Sequence, residues 1–305
     1  IIVFALMGYF PNKIDAFVNS VNPFILVLVS ISNLVEGNRV GRVVFYSVAV
    51  LSALFCIYMI VKLIKNFNRK ISVVAFFSLG KTQFILDKEL SKKHEVESYK
   101  LDLSKEMYSV KDYGEIGEII SIQDREIEKF KDEKLNDASI FGFAGIGHTP
   151  LIFRAGYKVG DETYFYLFHK HRNEDEFKYL NNVDDVSQYE SLKVSKQIVS
   201  GDSDELIVIL ETTYEVKNYE LSLLNPDNKN IIRFSLRNKG VDVINNRTQI
   251  DEYVNIINSE VRKLVKEDRI KLVHMVLSTS VAMTFALGMS MSNHHNVDTI
   301  VYHYQ

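Results

Sequence analysis

The C-terminal half of the sequence contains an internal repeat that limits the folds this chain can adopt. In each copy, residues 139–172 and 271–305, an apolar strand runs into a polar turn, a helix and an aromatic-rich strand. Two positions recur with an offset of 132 residues: Phe153 with Phe285, and Gly156 with Gly288. Each copy has the pattern of a βαβ unit. We therefore expect two lobes with a cleft between equivalent strand ends; a chance similarity of two βαβ units is the alternative.

Other apolar patterns predict further strands and helices. Helical spacing of apolar residues predicts a helix over 105–135. Thr248–Arg269 carries a clear apolar stripe, with Thr248 as the expected N-cap. Three apolar runs have the length of buried strands: Ile71–Leu79, Leu206–Leu210 and Ile231–Ser235. Because strands alternate with helices, the sequence predicts an α/β fold with a mainly parallel sheet.

Two long charge-free runs near the N-terminus predict transmembrane helices. Residues 43–61 include no charge over 19 positions, about the length that crosses a hydrocarbon core as a helix. Residues 16–35 form a second such run, and residues 1–10 are expected to be the end of a further span. We therefore expect transmembrane helices in 1–69 and a separate α/β domain in 70–305. A buried core helix is the alternative for 43–61.

The distribution of charge indicates an orientation and excludes one class of partner. Four basic residues follow residues 43–61 directly: Lys62, Lys65, Arg69 and Lys70. Such residues favour the cytoplasmic side of a membrane, so the α/β domain in 70–305 is expected in the cytoplasm. Residues 1–70 have seven basic and two acidic residues, so the remainder of a chain with net charge −3 carries −8. An acidic domain argues against binding of duplex DNA or RNA, which requires a broad basic face.

Small polar residues stand where each repeated strand enters its helix. Ligands of open α/β sheets bind outside the carboxyl ends of the strands, and free N–H groups at a helix start favour a phosphate. In the first copy, Thr149 before Pro150 is an expected N-cap. The second copy has Ser278, Thr279 and Ser280 at the equivalent turn. The two turns predict a shared anion pocket; helix capping without a ligand is the alternative.

Two basic residues stand at the end of the strand that closes the first copy. Alternation along an extended strand places Lys170 and Arg172 on one face and His169 and His171 on the other. The two cations are candidate phosphate ligands, Arg172 with a forked pair of donors. A solvated strand end is the alternative.

The histidines do not predict a metal site. Two groups of histidines are candidate zinc ligands: His148 with His169 and His171, and the pair His294 and His295. Their spacings match no closed zinc site, and the single cysteine, Cys56, lies in an apolar run. No nucleophile–base pair or paired carboxylates stand out either, so the sequence predicts neither a metal nor an enzyme.

The C-terminal stretch resembles the SAVED domain over roughly residues 130–305. The resemblance rests on these segments: Gly145–Leu151 (GIGHTPL), Gly156, Tyr164–Arg172, Ser278–Ser280, Ala286–Gly288 and Val301–Tyr304. SAVED domains are made of two fused CARF-like (Rossmann-like) lobes, which agrees with the repeat. The expected fold class is therefore α/β, with N-terminal transmembrane helices followed by a SAVED domain.

The resemblance implies a sensor of cyclic oligonucleotides in bacterial antiphage systems, mostly CBASS and sometimes type III CRISPR. The implied pocket between the lobes has this lining: Gly145, Gly147, His148, Thr149, Lys170, Arg172, Ser278, Thr279 and Ser280. Its ligand would be a cyclic di-, tri- or tetranucleotide made by a cognate nucleotidyltransferase, without a cofactor. Fused to membrane helices, such a sensor is expected in the bacterial inner membrane, where it would oligomerise on activation and disrupt the lipid bilayer.

Two other functions remain open from the sequence. A constitutive membrane scaffold would bind a protein partner and lose nothing when Lys170 and Arg172 are replaced by alanine. An enzyme that degrades its nucleotide ligand would release linear products.

Overall fold

The structure, a computed structural model, describes residues 47, 50–55, 57–59, 70–80, 83–110, 113–134, 140–185, 189–198, 203–291 and 297–303. The chain divides into two compact units, Ile1–Asn68 and Arg69–Gln305. The described residues of the first unit are helical. The second unit contains two β-sheets with helices packed against them.

The predicted transmembrane helices require a correction. Among the residues that the structure describes, no helix has both the length and the apolar character needed to cross a bilayer. A span needs about 20 consecutive apolar residues in one helix. The expected spans at 1–10 and 16–35, and part of 43–61, lie outside the described residues. The expected fold class is therefore wrong in its transmembrane part, and the lipid bilayer gains no support as a partner.

The first lobe is built on a five-stranded, mainly parallel sheet. Its strands are β1 (Ile71–Phe77), β2 (Val96–Asp102), β3 (Ile140–Ile146), β4 (Phe165–Lys170) and β5 (Phe177–Tyr179). Its helices are α1 (Lys88–Lys93), α2 (Ser104–Ser109), α3 (Tyr113–Lys134) and α4 (Thr149–Val159). The strand order is β2-β1-β3-β4-β5, and β5 alone among these five runs antiparallel to its neighbour. Because both faces of the sheet are covered, every residue of β1 is buried.

The second lobe has a similar sheet. Its strands are β6 (Lys193–Gln197), β7 (Glu205–Glu211), β8 (Asn230–Ser235), β9 (Leu272–Ser278) and β10 (Asp298–Tyr302). Its α-helices are α5 (Arg247–Glu267) and α6 (Val281–Met291), and two 3₁₀ helices, Asn218–Leu224 and Pro226–Asn228, precede β8. The strand order is β10-β9-β7-β8-β6, with β6 antiparallel to β8 and the other pairs parallel.

The two lobes share one plan. Strands β1 to β4 correspond to β7 to β10 in chain order, in sheet order and in parallel pairing. Helices α4 and α6 follow the corresponding strands β3 and β9. The lobes differ in the position of their fifth strand. In the first lobe β5 lies at the edge beside β4, and in the second lobe β6 lies at the edge beside β8. The mixed α/β fold agrees with the sequence, although the parallel strands form two sheets.

The lobes join where the backbones of α4 and α6 cross in close contact. A Cβ at Gly156 would overlap the carbonyl oxygen of Phe285, and a Cβ at Gly288 would overlap that of Phe153. These two contacts are reciprocal, so a pseudo-twofold axis passes between the helices. Phe285 also stacks on Phe143 of β3, with ring centroids 3.7 Å apart. One buried apolar cluster consequently extends through both lobes.

The helix boundaries differ from the sequence prediction in two places. The helix expected over 105–135 is divided between α2 and α3. Helix α5 is capped by Asn246, whose side chain accepts from the N–H of Gln249 at 2.8 Å. Thr248 was the expected cap, but it lies inside the helix. Its hydroxyl instead donates to the backbone oxygen of Val183 at 3.0 Å and accepts from the N–H of the same residue at 2.9 Å.

Candidate ligand-binding cleft

The carboxyl ends of parallel strands from both lobes meet along one edge, which we call the cleft. His148, after β3, and His303, after β10, have ring centroids 4.8 Å apart. Asp242, in the loop after β8, lies 3.1 Å from Nε2 of His169 and 3.3 Å from Nδ1 of His171 at the end of β4. Both contacts cross from one lobe to the other. The cleft therefore lies at the edge where open α/β sheets bind ligands.

The turn after β3 closes tightly on the end of β1. A Cβ at Gly145 would lie 2.7 Å from the backbone oxygen of Phe76, and one at Gly147 would lie 2.6 Å from Oγ of Ser78. The N–H of His148 donates to the same Oγ at 2.8 Å, and Nδ1 of His148 lies 3.0 Å from it. The two glycines thus have a steric role, because a side chain at Gly145 would push the end of β3 away from β1, and one at Gly147 would push the turn away from Ser78.

Helix α4 begins without a side-chain cap. The expected N-cap, Thr149, is the first helical residue, and His148 occupies the cap position without a capping hydrogen bond. An uncapped start leaves N–H groups of the first turn for another acceptor and favours an anion. Burial lowers the pKa of the His148 imidazole, as does the nearby His303, whose own pKa is also lowered by burial. Both rings are therefore neutral near pH 7.

The turn after β9 uses two of its hydroxyls for internal bonds. Oγ of Ser278 accepts from the N–H of Tyr214 at 3.0 Å. Oγ of Ser280 accepts from the N–H of Met283 at 3.3 Å and so caps α6. Both serines are buried. Their hydroxyls hold the local fold together.

Thr279 is the more exposed hydroxyl of this turn. Its Oγ1 lies 2.7 Å from Oγ1 of Thr212, which follows β7 as Ser78 follows β1. The end of β1 is therefore linked to the turn after β3, and in the same way the end of β7 is linked to the turn after β9. Thr149 and Thr279 are both partly exposed on the two turns, so they are the hydroxyls best placed for a ligand.

The two predicted cations lie at the end of β4 and in the turn that follows it. Nζ of Lys170 lies 6.0 Å from the ring centroid of Phe177, on the face of β4 opposite to His169. Arg172 is exposed in the turn that follows the strand. The histidines of this strand, His169 and His171, are the residues that reach the other lobe.

The loop after β8 brings a further cation to the carboxyl end of β7. The N–H of Gly240 donates to the backbone oxygen of Thr212 at 3.0 Å, and the neighbouring Nζ of Lys239 lies 3.7 Å from Oε2 of Glu211. Arg233 bonds the other carboxylate oxygen of Glu211, which is 2 % exposed. Two cations thus face one buried carboxylate.

The cluster of His169, His171 and Asp242 has its own electrostatic balance. Burial lowers the pKa of His169, although the hydrogen bond to Asp242 acts in the opposite direction. Burial raises the pKa of Asp242, but its interactions with the two histidines outweigh this effect, so the pKa is lowered. The result at neutral pH is a neutral His169 imidazole beside an ionised carboxylate.

Sequence reasoning missed four residues of this cleft: Ser78, Thr212, Asp242 and His303. The repeat offers a signal for His303, because the offset of 132 residues makes it the counterpart of His171. Asp242 offers no such signal, since it stands in an irregular loop 73 residues from His169.

A comparison of sequences decides the family. The profile of SAVED, described as "SMODS-associated and fused to various effectors sensor domain", matches residues 123–305. The chain belongs to the SAVED family. The resemblance in the sequence is therefore confirmed for the sensor domain. Among proteins with curated functions, none matches this SAVED protein significantly.

Solved structures of SAVED/CARF-domain containing receptors are similar to this chain. The Acinetobacter baumannii Cap4 receptor with the cyclic trinucleotide 2'3'3'-cAAA has a TM-score of 0.51 and 12% identity, over 77% of this chain and 48% of that receptor. The same receptor with 3'3'3'-cAAA has a TM-score of 0.49 and 13% identity, over 74% and 49%. Moraxella osloensis Cap4 has a TM-score of 0.48 and 14% identity, over 78% and 47%. The SAVED chain thus spans about half the length of these receptors. At 12% identity, the likeness to the first of these structures shows the fold alone.

Proposed function

We propose that this chain is the sensor of a cyclic oligonucleotide second messenger in a bacterial antiphage system, namely CBASS. The observation that carries the proposal is the cleft in which the strand ends of both lobes meet, seen in the 4.8 Å contact of His148 with His303. Membership of the SAVED sensor family supports it. So does the shared fold with a Cap4 receptor that holds a cyclic trinucleotide.

The cleft offers the groups that a cyclic oligonucleotide requires. Such a ligand presents phosphodiesters and flat bases on one small ring. The uncapped start of α4, the hydroxyls of Thr149 and Thr279, and the nearby Arg172 are suited to phosphates. The imidazole faces of His148 and His303 are suited to stacking with bases.

The difference between the turns after β3 and β9 indicates how many nucleotides the cyclic ligand contains. A cyclic dinucleotide matches the pseudo-twofold relation of the lobes. The turns after β3 and β9 nevertheless differ, because the first is uncapped and the second is capped by Ser280. A ligand without twofold symmetry can use both, so a cyclic trinucleotide made by a cognate nucleotidyltransferase is our first candidate.

Binding of a panel to the full chain tests the proposal. Calorimetry and thermal shift would compare cyclic di-, tri- and tetraadenylates with linear triadenylate. We expect a cyclic member to bind and the linear one to fail. His303→Ala and Arg172→Ala should each weaken binding by about tenfold or more. Lys170→Ala is the matched control, because its ammonium lies on the other face of β4. If no cyclic member binds, the proposal is wrong.

The output of the sensor is proposed to be assembly of several copies. Three apolar side chains are exposed in the connection between β7 and β8: Tyr214 (52 %), Tyr219 (68 %) and Leu223 (92 %). A contiguous exposed apolar surface marks a protein interaction site, and Leu223 is the most exposed of the three side chains. Mass photometry of the calorimetry samples should show a larger species with ligand, and Leu223→Asp should abolish it. An unchanged mass on ligand binding contradicts assembly but leaves sensing intact. Membrane disruption depended on spanning helices and is not part of the proposal.

A further inference from the structure

Three metal-ligating side chains from the two lobes converge at the cleft. Oδ1 of Asp242 lies 3.1 Å from Nε2 of His169 and 3.3 Å from Nδ1 of His171. One ligand atom of each residue lies within 4.8 Å of the others. The histidines share a face of β4 because they are two residues apart in an extended segment. The carboxylate comes from the opposite lobe, in the loop after β8.

The spacing of these atoms suits a small divalent cation. Ligand atoms at zinc distances of about 2.0–2.1 Å stand about 3.3 Å apart around a tetrahedral ion. Both distances to Oδ1 of Asp242 are close to that value. Two imidazole nitrogens and a carboxylate oxygen form a ligand set that zinc, cobalt and nickel ions accept. Three protein ligands leave a fourth position for water or for an oxygen of another ligand.

We propose that His169, His171 and Asp242 bind a divalent cation of the zinc class, which ties the two lobes together at the cleft. The competing arrangement is a pair of hydrogen bonds in which both imidazoles donate to the carboxylate. That arrangement requires protons on Nε2 of His169 and on Nδ1 of His171. A metal requires the same two nitrogens to be free of protons. The two arrangements are therefore mutually exclusive, and metal binding releases or relocates both protons.

Metal binding to the full chain, without a histidine affinity tag, tests this inference. Zinc affinity would be measured by competition with a chromophoric chelator, and cobalt absorption would report the geometry. We expect the wild type to bind one equivalent of zinc. Asp242→Asn and His171→Gln should each bind zinc at least about 100-fold more weakly, because even the loss of a residue outside the ligand set lowers metal affinity by about 10- to 100-fold. Asp242→Asn keeps a carbonyl oxygen that accepts from the imidazoles, so it preserves the competing arrangement.

A second histidine–carboxylate contact provides the matched control. Oε2 of Glu205 lies 2.7 Å from Nε2 of His274 at the amino end of the second sheet, where the third partner is the cation of Lys229. An ammonium cannot ligate a metal, so Glu205→Gln should bind zinc like the wild type.

Thermal stability gives an independent readout. Zinc should raise the melting temperature of the wild type and of Glu205→Gln, because a ligand of the native state stabilises it, and should leave Asp242→Asn unchanged. Less than one equivalent bound by the wild type, or equal zinc affinity of the wild type and Asp242→Asn, overturns the inference. Since no cyclic nucleotide enters these measurements, their outcome is independent of the sensing proposal.

Discussion

The turns after β3 and β9 occupy equivalent positions of the two lobes but are chemically different. After β9, the hydroxyls of Ser278 and Ser280 bond to backbone N–H groups and are buried. After β3, Gly147 and His148 close on Ser78, and helix α4 starts without a side-chain cap. One turn thus satisfies its own donors, and the other leaves donors for a ligand. A duplicated fold can therefore keep its geometry while only one copy retains an uncapped helix start.

The largest effect is expected where the two lobes are most alike, at the crossing of α4 and α6. Gly156→Ala would place a Cβ on the carbonyl oxygen of Phe285, so the helices must separate, and the free energy of unfolding should fall by about 3 kcal/mol. Gly288→Ala should have a similar effect. Gly117→Ala in α3 meets no atom within 4 Å and should be neutral or stabilising, because alanine favours helix. Urea denaturation measures all three. Equal stability of Gly156→Ala and Gly117→Ala would contradict the close crossing.

A smaller effect should distinguish the lobes at the ends of β1 and β7. Phe77 occupies the position that Glu211 has in the second lobe. Lys100 lies 5.8 Å from the Phe77 ring centroid, and the equivalent Arg233 bonds Glu211. Arg233→Met should lower the free energy of unfolding by about 2 kcal/mol, because a buried carboxylate loses a partner. Lys100→Met should cost about 0.5 kcal/mol, since its contacts are exposed. If thermal denaturation shows equal losses of stability for Arg233→Met and Lys100→Met, the ion pair of Arg233 with Glu211 does not stabilise the second lobe more than the exposed contacts of Lys100 stabilise the first.

The smallest effect concerns the turns themselves. Ser280→Ala removes the cap of α6 and should cost about 1 kcal/mol. Thr149→Ala, at the start of α4, should change stability by less than about 0.5 kcal/mol, because its hydroxyl caps no helix. Chemical denaturation of both variants provides the measurement. A greater loss in Thr149→Ala than in Ser280→Ala would reverse the proposed division between a structural turn and a binding turn.

The regular elements of the second lobe could be predicted with some accuracy. The strands expected at Leu206–Leu210 and Ile231–Ser235 lie within β7 and β8, because short apolar runs bounded by polar residues have few other folds. The cap of α5 was predicted less well. Asn246 and Thr248 both have side chains that can cap a helix. Only the structure shows that Asn246 caps α5, whereas the hydroxyl of Thr248 bonds to Val183.

The candidate site could be predicted only in part. The sequence located the turns at Gly145–Pro150 and Ser278–Ser280, since both follow apolar strands and precede helices. It could not tell that Ser278 and Ser280 are committed to internal bonds. Nor could it tell which face of β4 meets the other lobe, because alternation gives two faces without naming the buried one.

The sequence by itself determined the repeated βαβ pattern, the acidic character of residues 71–305 and membership of the SAVED family. Each of these follows from local order or composition along the chain. Only the tertiary structure decided that His148 meets His303 and that His169 and His171 meet Asp242. These pairs are distant in sequence, and the packing of α4 against α6 brings their loops together.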